Sequence, residues 1–311
     1  MSSCAMRKTD AGKYKNALKA SGHVIVPTPE ESDVIFVWTC AFRSDFKTHS
    51  INALKHYQDN YGKRVIACGC LPSIDLEAMR EEYGGEYFEW KHERLAMKEL
   101  FGVDLNEGYR PLAEKALDVP IEEFKKENPK VKTTHCDQFV KLFISEGCVY
   151  KCTYCAERLA FPPYRSFPLE SLVEKCGRVV EEFGEKRVVL HGDLVGEYGR
   201  DIGSSFPELM EMLVKRVPDI ELGIRNFHPI HYLEYMDFFN EYLANGKIFL
   251  LETPIQSASD PILKAMGRIY TKQDLVRIFN SIRETGFTEV ETHIIAGFPG
   301  ETRERFQETV D

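Results

Sequence analysis

Residues 139–155 read Phe-Val-Lys-Leu-Phe-Ile-Ser-Glu-Gly-Cys-Val-Tyr-Lys-Cys-Thr-Tyr-Cys and form the most informative segment of the chain. The first seven residues are a mainly apolar run that predicts a buried β-strand. Three cysteines, Cys148, Cys152 and Cys155, follow this strand directly. Their C-x3-C-x2-C spacing allows three thiolates to converge on one metal centre. A four-iron cluster held by only three cysteines would keep one iron open for chemistry.

Strand-like and helical patterns alternate from this segment to the C-terminus. The predicted strands are 139–145, 187–190, 220–224, 248–251 and 289–295, and the predicted helices are 169–183, 207–217, 232–244, 272–285 and 303–310. Five successive βα units are typical of a parallel (β/α) barrel or of part of one. The functional site of such a barrel lies at the carboxyl ends of its strands, which is where the cysteine loop is placed.

The N-terminal residues alternate in the same way. Helical patterns occur at 10–21, 45–61 and 74–83, and strand patterns at 23–26, 34–38 and 65–67. The continuous apolar run 34–38 predicts a strand that is buried on both faces. Cys40 and Cys70 follow two of these strands, at the edge where open α/β sheets bind ligands.

The predicted fold class is therefore α/β, with three segments. Residues 1–90 form a doubly wound α/β domain, and residues 139–311 form a partial (β/α) barrel that is incomplete at its C-terminal end. Residues 91–138 connect the two and include a polar, proline-containing stretch at 122–132 that is typical of a linker.

Composition excludes several classes of protein. The chain has 311 residues, of which 43% are apolar and 29% charged, which is typical of a globular protein. A net charge of −9 excludes a strongly basic nucleic-acid clamp as the dominant feature. We find no apolar segment of ~20 residues and no signal peptide, so we expect a soluble, cytoplasmic protein without a membrane partner.

The cysteine count points to metal chemistry. Nine cysteines, an odd number, in such a chain favour metal binding or catalysis over a disulfide framework. One alternative is a zinc site in which Cys136 or Cys176 supplies a fourth ligand. That alternative lacks the second C-x2-C pair that zinc sites favour.

With Tyr154 before its last cysteine, the loop resembles the radical S-adenosylmethionine (radical SAM) motif. Other segments occur in the order found in methylthiotransferases: Glu-Gly-Cys at 146–148, Pro-Tyr-Arg-Ser at 163–166, Leu-His-Gly-Asp at 190–193, Pro-Ile-Gln-Ser-Ala-Ser-Asp at 254–260, Leu-Lys-Ala-Met-Gly-Arg at 263–268 and Ala-Gly-Phe-Pro-Gly-Glu-Thr at 296–302. The chain thus resembles the radical SAM methylthiotransferase family, which includes enzymes acting on tRNA and on ribosomal protein, over nearly its whole length.

The resemblance implies S-adenosylmethionine and two [4Fe–4S] clusters as cofactors. The ligands of the radical SAM cluster are then Cys148, Cys152 and Cys155, and those of an auxiliary cluster are Cys4, Cys40 and Cys70. Five residues are candidates for contact with S-adenosylmethionine, most of them at strand ends: Tyr154, Gly192, Asp193, Arg225 and Gln256. A structural role at a strand end is the alternative for each of these five.

The implied activity is the insertion of a methylthio group at an unactivated C–H bond of a tRNA adenosine. The implied partners are tRNA and an electron donor such as flavodoxin or ferredoxin. The family's sixth βα unit and RNA-binding β-barrel have no counterpart before Asp311, so the chain is either a fragment of a longer protein or a shorter relative with a different substrate. The same chemistry on a protein, peptide or small molecule is therefore an alternative, and the acidic barrel segment and Trp38, which replaces a family asparagine, also favour it. A non-catalytic zinc-binding module is the third hypothesis.

Overall fold

A computed structural model describes residues 5–106, 108, 110–115, 126, 138–160 and 162–311, without the side chains of residues 5–7, 114 and 115. Cys4, Cys136 and all of the predicted linker except Lys126 lie outside the described residues. The chain divides into two compact units, one running up to Pro111 and including Cys155–Pro162, the other comprising Leu112–Tyr154 and Pro163–Asp311. These limits differ from those of the three predicted segments.

A three-stranded parallel sheet forms the centre of the first unit, with strand order β1-β2-β3. Its strands are β1 (Val34–Thr39), β2 (Arg64–Gly69) and β3 (Glu86–Tyr87). Its main helices are α1 (Ala5–Ala20), α2 (Ser44–Tyr61) and α3 (Glu93–Phe101). Three short helical segments lie between β2 and β3, at Leu71–Ile74, Leu76–Ala78 and Met79–Tyr83.

Helices cover both faces of this sheet, as predicted for a doubly wound domain. Phe36 packs into a core with Tyr14 of α1 and Met97 of α3. Its neighbour Val37 packs into a second core with Leu54 of α2. Successive side chains of a strand point to opposite faces, so the apolar run of β1 supplies both cores.

Several predictions for this unit are wrong. The run 34–38 is only half-buried, because β1 is an edge strand and the buried run belongs to the central strand β2. The predicted strand at 23–26 is irregular, and Val24 is 82% exposed. The predicted helix at 74–83 is interrupted at Asp75, whose carboxylate accepts from Ala78 N and starts a new helical segment. Helix α3 was not predicted.

A six-stranded sheet organises the second unit, with strand order β11-β10-β9-β8-β5-β4. The strands are β4 (Ala113–Lys115), β5 (Val140–Phe143), β8 (Arg187–His191), β9 (Glu221–Ile224), β10 (Ile248–Glu252) and β11 (Val290–Glu291). Only β4 is antiparallel to its neighbour. A separate antiparallel pair consists of β6 (Ser145–Glu146) and β7 (Arg165–Ser166).

The helices of this unit follow the strands in sequence: α4 (Leu169–Phe183), α5 (Phe206–Arg216), α6 (Pro229–Glu234), α7 (Met236–Ala244), α8 (Asp260–Met266), α9 (Lys272–Glu284) and α10 (Arg303–Val310). The predicted partial (β/α) barrel is confirmed. Two details are wrong: the helix at 232–244 is divided at Tyr235, and the strand at 289–295 is reduced to β11 and one bridge between Gln256 and Ile294. None of the described helices could cross a membrane.

Candidate active site

The cysteine loop begins at a turn held by the end of a neighbouring strand. Gly147 has a φ of +76°, a conformation that glycine adopts without strain, and its N–H donates to Asp193 Oδ2 over 2.8 Å. Asp193 follows β8 and therefore fixes where the chain enters the loop at Cys148. This contact gives the predicted residue Asp193 a structural role in the loop.

The end of helix α8 holds the later part of the loop. Thr153 N donates to Met266 O over 3.0 Å, and Thr153 Oγ1 donates to Ala265 O over 2.9 Å. These carbonyls belong to the last turn of a helix, where carbonyls lack partners within the helix. The loop segment around Cys152 is thus anchored to the C-terminus of α8.

Tyr150, between the first two cysteines, sits against two buried histidines. Its ring stacks on the ring of His228 with centroids 4.4 Å apart, and its hydroxyl lies 3.4 Å from His231 Nε2. Burial raises the pKa of Tyr150 to about 12. Glu197 and Glu234 lie beside His231, with carboxylate oxygens 3.6 and 3.7 Å from its ring nitrogens. These histidines were not predicted, although His228 follows a barrel strand closely.

The two histidines make stability depend on pH. Burial lowers the pKa of His228 from 6.5 to about 2 and that of His231 from 6.5 to about 4. Below about pH 6.5 the unfolded chain therefore binds more protons than the folded chain, and stability falls with falling pH. For each histidine we expect a loss of about 1.4 kcal/mol per pH unit, continuing down to its folded pKa.

Urea unfolding at pH 6.5 and 5 measures this dependence, and His228→Asn is the informative variant. Asparagine keeps an acceptor for Ile230 N, which donates to His228 Nδ1 over 3.3 Å, but it does not titrate. The slope of stability against pH should decrease by the contribution of one histidine. An unchanged slope would show that His228 is protonated in the folded state.

The carboxyl ends of β8, β9 and β10 are joined by partly buried polar contacts. Arg225 Nε donates to Glu252 Oε2 over 2.5 Å, and Glu252 Oε1 accepts from Asn226 N over 3.2 Å. Asn226 Nδ2 donates to Gly192 O over 2.7 Å. The predicted residues Gly192 and Arg225 are therefore brought to the same edge. Glu252 and Asn226 were not predicted, although a charged residue at the end of a barrel strand is a usable signal.

Backbone strain marks the same edge. Among the described residues, the two non-glycine residues with positive φ are Asn226, at +54°, and Gln256, at +65°. Such residues cost free energy and cluster at functional sites. Gln256 follows β10, where its N–H donates to His293 O and its carbonyl accepts from Ile295 N. The strained positions support a ligand site at the carboxyl ends of these strands.

The Arg225–Glu252 pair leads to a prediction about stability. The Glu252 side chain is fully buried and that of Arg225 is 16% exposed. Glu252→Ala leaves a largely buried guanidinium without this carboxylate, and we expect the free energy of unfolding to fall by about 3 kcal/mol. Glu221→Ala is the matched control, because Glu221 pairs with Arg187 at the surface of the same sheet. In the same denaturation experiment, Glu221→Ala should lower the free energy of unfolding by less than about 1 kcal/mol. Equal losses in the two variants would contradict a special contribution of the buried Glu252.

The remaining predicted residues of this region lie close to the loop. Tyr154 is half-buried, and burial together with Cys152 raises the pKa of its hydroxyl above the ordinary value.

A side chain at Gly192 would place its Cβ 2.6 Å from Ser145 Oγ and 2.9 Å from Ser145 O. Only glycine allows β8 and β6 to approach this closely.

In the first unit, Cys40 and Cys70 follow neighbouring parallel strands at the same edge. Thr39 pairs with Gly69 in the register of β1 and β2, so each cysteine is the next residue of its strand. Cys70 N donates to Thr39 O over 3.1 Å, and Cys40 N donates to Ser50 Oγ over 2.9 Å. Both side chains are buried.

The described part of the chain contains no group of three Cys, His, Asp or Glu side chains close enough to hold a metal ion. Cys148 and Cys152 belong to the second unit and Cys155 to the first. None of the three forms a disulfide, and Cys148 and Cys155 are half-buried. A guanidinium nitrogen of Arg268 lies 3.8 Å from Cys152 Sγ. Soft thiolate ligands beside a cation fit a negatively charged iron–sulfur cluster.

Comparisons with known proteins match both parts of the chain. Residues 142–311 match the radical SAM superfamily, and residues 2–87 match an uncharacterized protein family, UPF0004. The probable threonylcarbamoyladenosine tRNA methylthiotransferase of Pyrococcus horikoshii is 30% identical over 317 residues, which cover 99% of this chain and 71% of that protein. The human threonylcarbamoyladenosine tRNA methylthiotransferase is 28% identical, with coverages of 99% and 53%. The chain thus spans about half the length of this human relative.

Solved structures share the fold at low sequence identity. The radical S-adenosylmethionine methyltransferase TsrM from Kitasatospora setae superposes with a TM-score of 0.62 at 17% identity, over 90% of this chain and 60% of that chain. The cobalamin-dependent S-adenosylmethionine radical enzyme OxsB gives a TM-score of 0.57 at 16% identity, over 96% and 44%. These likenesses concern the fold alone.

Proposed function

Because the chain belongs to the radical SAM methylthiotransferase family, whose members transfer sulfur-containing groups, we propose that it inserts a methylthio group at an unactivated C–H bond of a tRNA adenosine. The observation that carries this proposal is the match over 99% of the chain to relatives named threonylcarbamoyladenosine tRNA methylthiotransferase. The proposed substrate is accordingly a tRNA adenosine that bears a threonylcarbamoyl group.

Enzymes of this family use S-adenosylmethionine and two [4Fe–4S] clusters. When bound, these cofactors supply the one-electron chemistry that activates a C–H bond, and the protein supplies binding and orientation. We assign Cys148, Cys152 and Cys155 to the radical SAM cluster, and Cys4, Cys40 and Cys70 to the auxiliary cluster. Support comes from the thiol loop after β6 and from the equivalent positions of Cys40 and Cys70 in the register.

Around S-adenosylmethionine we assign Tyr154, Gly192, Asp193, Arg225 and Gln256. Gly192, Arg225 and Gln256 follow adjacent parallel strands, and Gln256 has a strained backbone. In this assignment Asp193 orients the loop through Gly147, and the buried Glu252 fixes the guanidinium of Arg225. Preorganised groups of this kind hold a reacting molecule in place and exclude water.

The proposal includes an electron donor such as flavodoxin or ferredoxin and a cytoplasmic location, where tRNA is modified. The alternative of a different substrate relied in part on Trp38. Trp38 is partly buried and packs against the core of the first unit, with its ring centroid 5.0 Å from that of Tyr14. It therefore gives no support to a protein, peptide or small-molecule substrate.

Mass spectrometry of tRNA nucleosides tests the substrate. In a strain that lacks the gene, we expect the methylthio derivative of threonylcarbamoyladenosine to disappear and its unmodified precursor to accumulate. The wild-type gene should restore the derivative, and a gene encoding Cys152→Ala should not. Unchanged levels of the methylthio derivative in the deletion strain would refute the tRNA assignment.

A further inference from the structure

Arg268 is fixed beside the second cysteine of the loop. Its Nη1 donates to Cys152 Sγ over 3.8 Å, and its Nη2 donates to Pro254 O over 2.6 Å. The guanidinium also lies over the ring of Tyr270, with its central carbon 5.3 Å from the ring centroid. Gly267, with a φ of +73°, ends helix α8 and turns the chain so that Arg268 faces the loop.

The charge of Arg268 lacks a carboxylate partner within the described part of the chain. Against the opposing effect of burial, Tyr270, Tyr154 and Cys152 raise the pKa of its guanidinium, and the buried His228 also lies within its electrostatic reach. Its Nε is buried and has no hydrogen-bond partner among the described residues. Arg268 is half-buried, and a charge that is partly withdrawn from water is costly unless it is paired. The surroundings of Arg268 therefore favour a negatively charged group at the Cys152 sulfur.

We propose that Arg268 is the counter-charge and sulfur hydrogen-bond donor for the iron–sulfur cluster held through Cys152, and that it raises the reduction potential of that cluster. This inference rests on the proposed function, because it needs a cluster at the loop. Three thiolates make such a cluster negative, and reduction by the external donor adds one further electron. A fixed cation and a hydrogen bond to sulfur stabilise the more negative, reduced form.

Arg268 acts through the sulfur of Cys152 and is a positioning residue. A merely structural role would consist of the bond to Pro254 O, which ties the loop that follows β10 to the end of α8. The two roles differ in what they require. Tuning of the cluster requires positive charge, which lysine retains, whereas the contact with Pro254 requires the length and fork of arginine.

The test measures the reduction potential of the S-adenosylmethionine-sensitive cluster signal by electron paramagnetic resonance, in anaerobic holoenzyme. The variants are Arg268→Gln and Arg268→Lys, with Arg277→Gln as the matched control, since Arg277 is exposed on helix α9. At the wild-type midpoint, Arg268→Gln should lower the ratio of reduced to oxidised cluster about tenfold, a shift of about 59 mV for one electron. The reduction potential of Arg268→Lys should lie closer to the wild-type value, and that of Arg277→Gln should equal the wild-type value.

A variant that loses its cluster has no reduction potential to measure, so its iron content is the readout instead. Loss of loop iron in Arg268→Gln with retention in Arg268→Lys supports the counter-charge role. Loss of loop iron in both Arg268 variants overturns the counter-charge role and favours a structural contact. Retention of loop iron in both with unchanged reduction potentials does the same. Absence of iron from the wild-type loop overturns the proposed function as well, whereas an unchanged potential in iron-loaded variants leaves the proposed function intact.

Discussion

Replacing Cys148, Cys152 and Cys155 with alanine is expected to abolish the reductive cleavage of S-adenosylmethionine. The three thiolates are the proposed ligands of the cluster that binds and reduces this cofactor, so the variant has nothing to hold its iron. The measurement is 5′-deoxyadenosine formed under anaerobic conditions with a chemical reductant. We expect the product to fall to the level obtained without enzyme.

Cys176→Ala is the control for this variant. Cys176 is fully buried in helix α4, away from the loop in sequence, and its thiol serves packing. The control should retain cleavage. Cleavage that persisted in the triple variant would show that the loop does not hold the radical SAM cluster.

Replacing Cys4, Cys40 and Cys70 with alanine is expected to separate the two halves of the reaction. Cleavage of S-adenosylmethionine should continue, because the loop cysteines are intact, but insertion of sulfur into tRNA should stop. Both products can be followed in one assay, with 5′-deoxyadenosine quantified by chromatography and the methylthio nucleoside by mass spectrometry.

Cys68→Ala is the control for the N-terminal variant. Cys68 lies on β2, two residues before Cys70, but packs into the core beside Tyr14 and Ile66. Sulfur insertion should survive this substitution. If the triple variant still inserted sulfur, the auxiliary cluster would be excluded and the enzyme would follow a different route of sulfur delivery.

The regular elements with strong hydrophobic patterns were predictable from sequence. The helix predicted at 169–183 is α4, and the strand predicted at 187–190 is β8 with one more residue. Strands that alternate with helices imply parallel neighbours. The parallel neighbours of the main sheet and the placement of the cysteine loop beyond a strand end followed from this pattern, whereas the antiparallel β4 did not.

Elements decided by tertiary contacts were not predictable. The apolar letters at 23–26 suit a strand, but Val24 and Ile25 are exposed and the segment is irregular. The helical pattern at 232–244 continues through Tyr235, where φ and ψ of −111° and 25° end one helix before the next begins. Hydrophobic periodicity reports burial, and it does not report such breaks.

The candidate site likewise contains residues that the sequence made predictable and partners that it did not. The spacing of Cys148, Cys152 and Cys155 identified the loop as a candidate, and the family resemblance identified the N-terminal cysteines. The positions of Arg225 and Gln256 after strands identified those two residues. The partners that hold these residues, Glu252 for Arg225 and Arg268 for Cys152, are separated from them by 27 and 116 residues. Contacts at such separations arise from the packed fold, so no local pattern predicts them.

The iron content of anaerobically purified protein tests the central claim most directly. With two four-iron clusters, we predict about eight irons per chain in the wild type and about four in each of the two triple-cysteine variants. The same samples should contain matching acid-labile sulfide. Zinc without iron, or an iron content that is unaffected by the loss of Cys148, Cys152 and Cys155, would contradict the assignment.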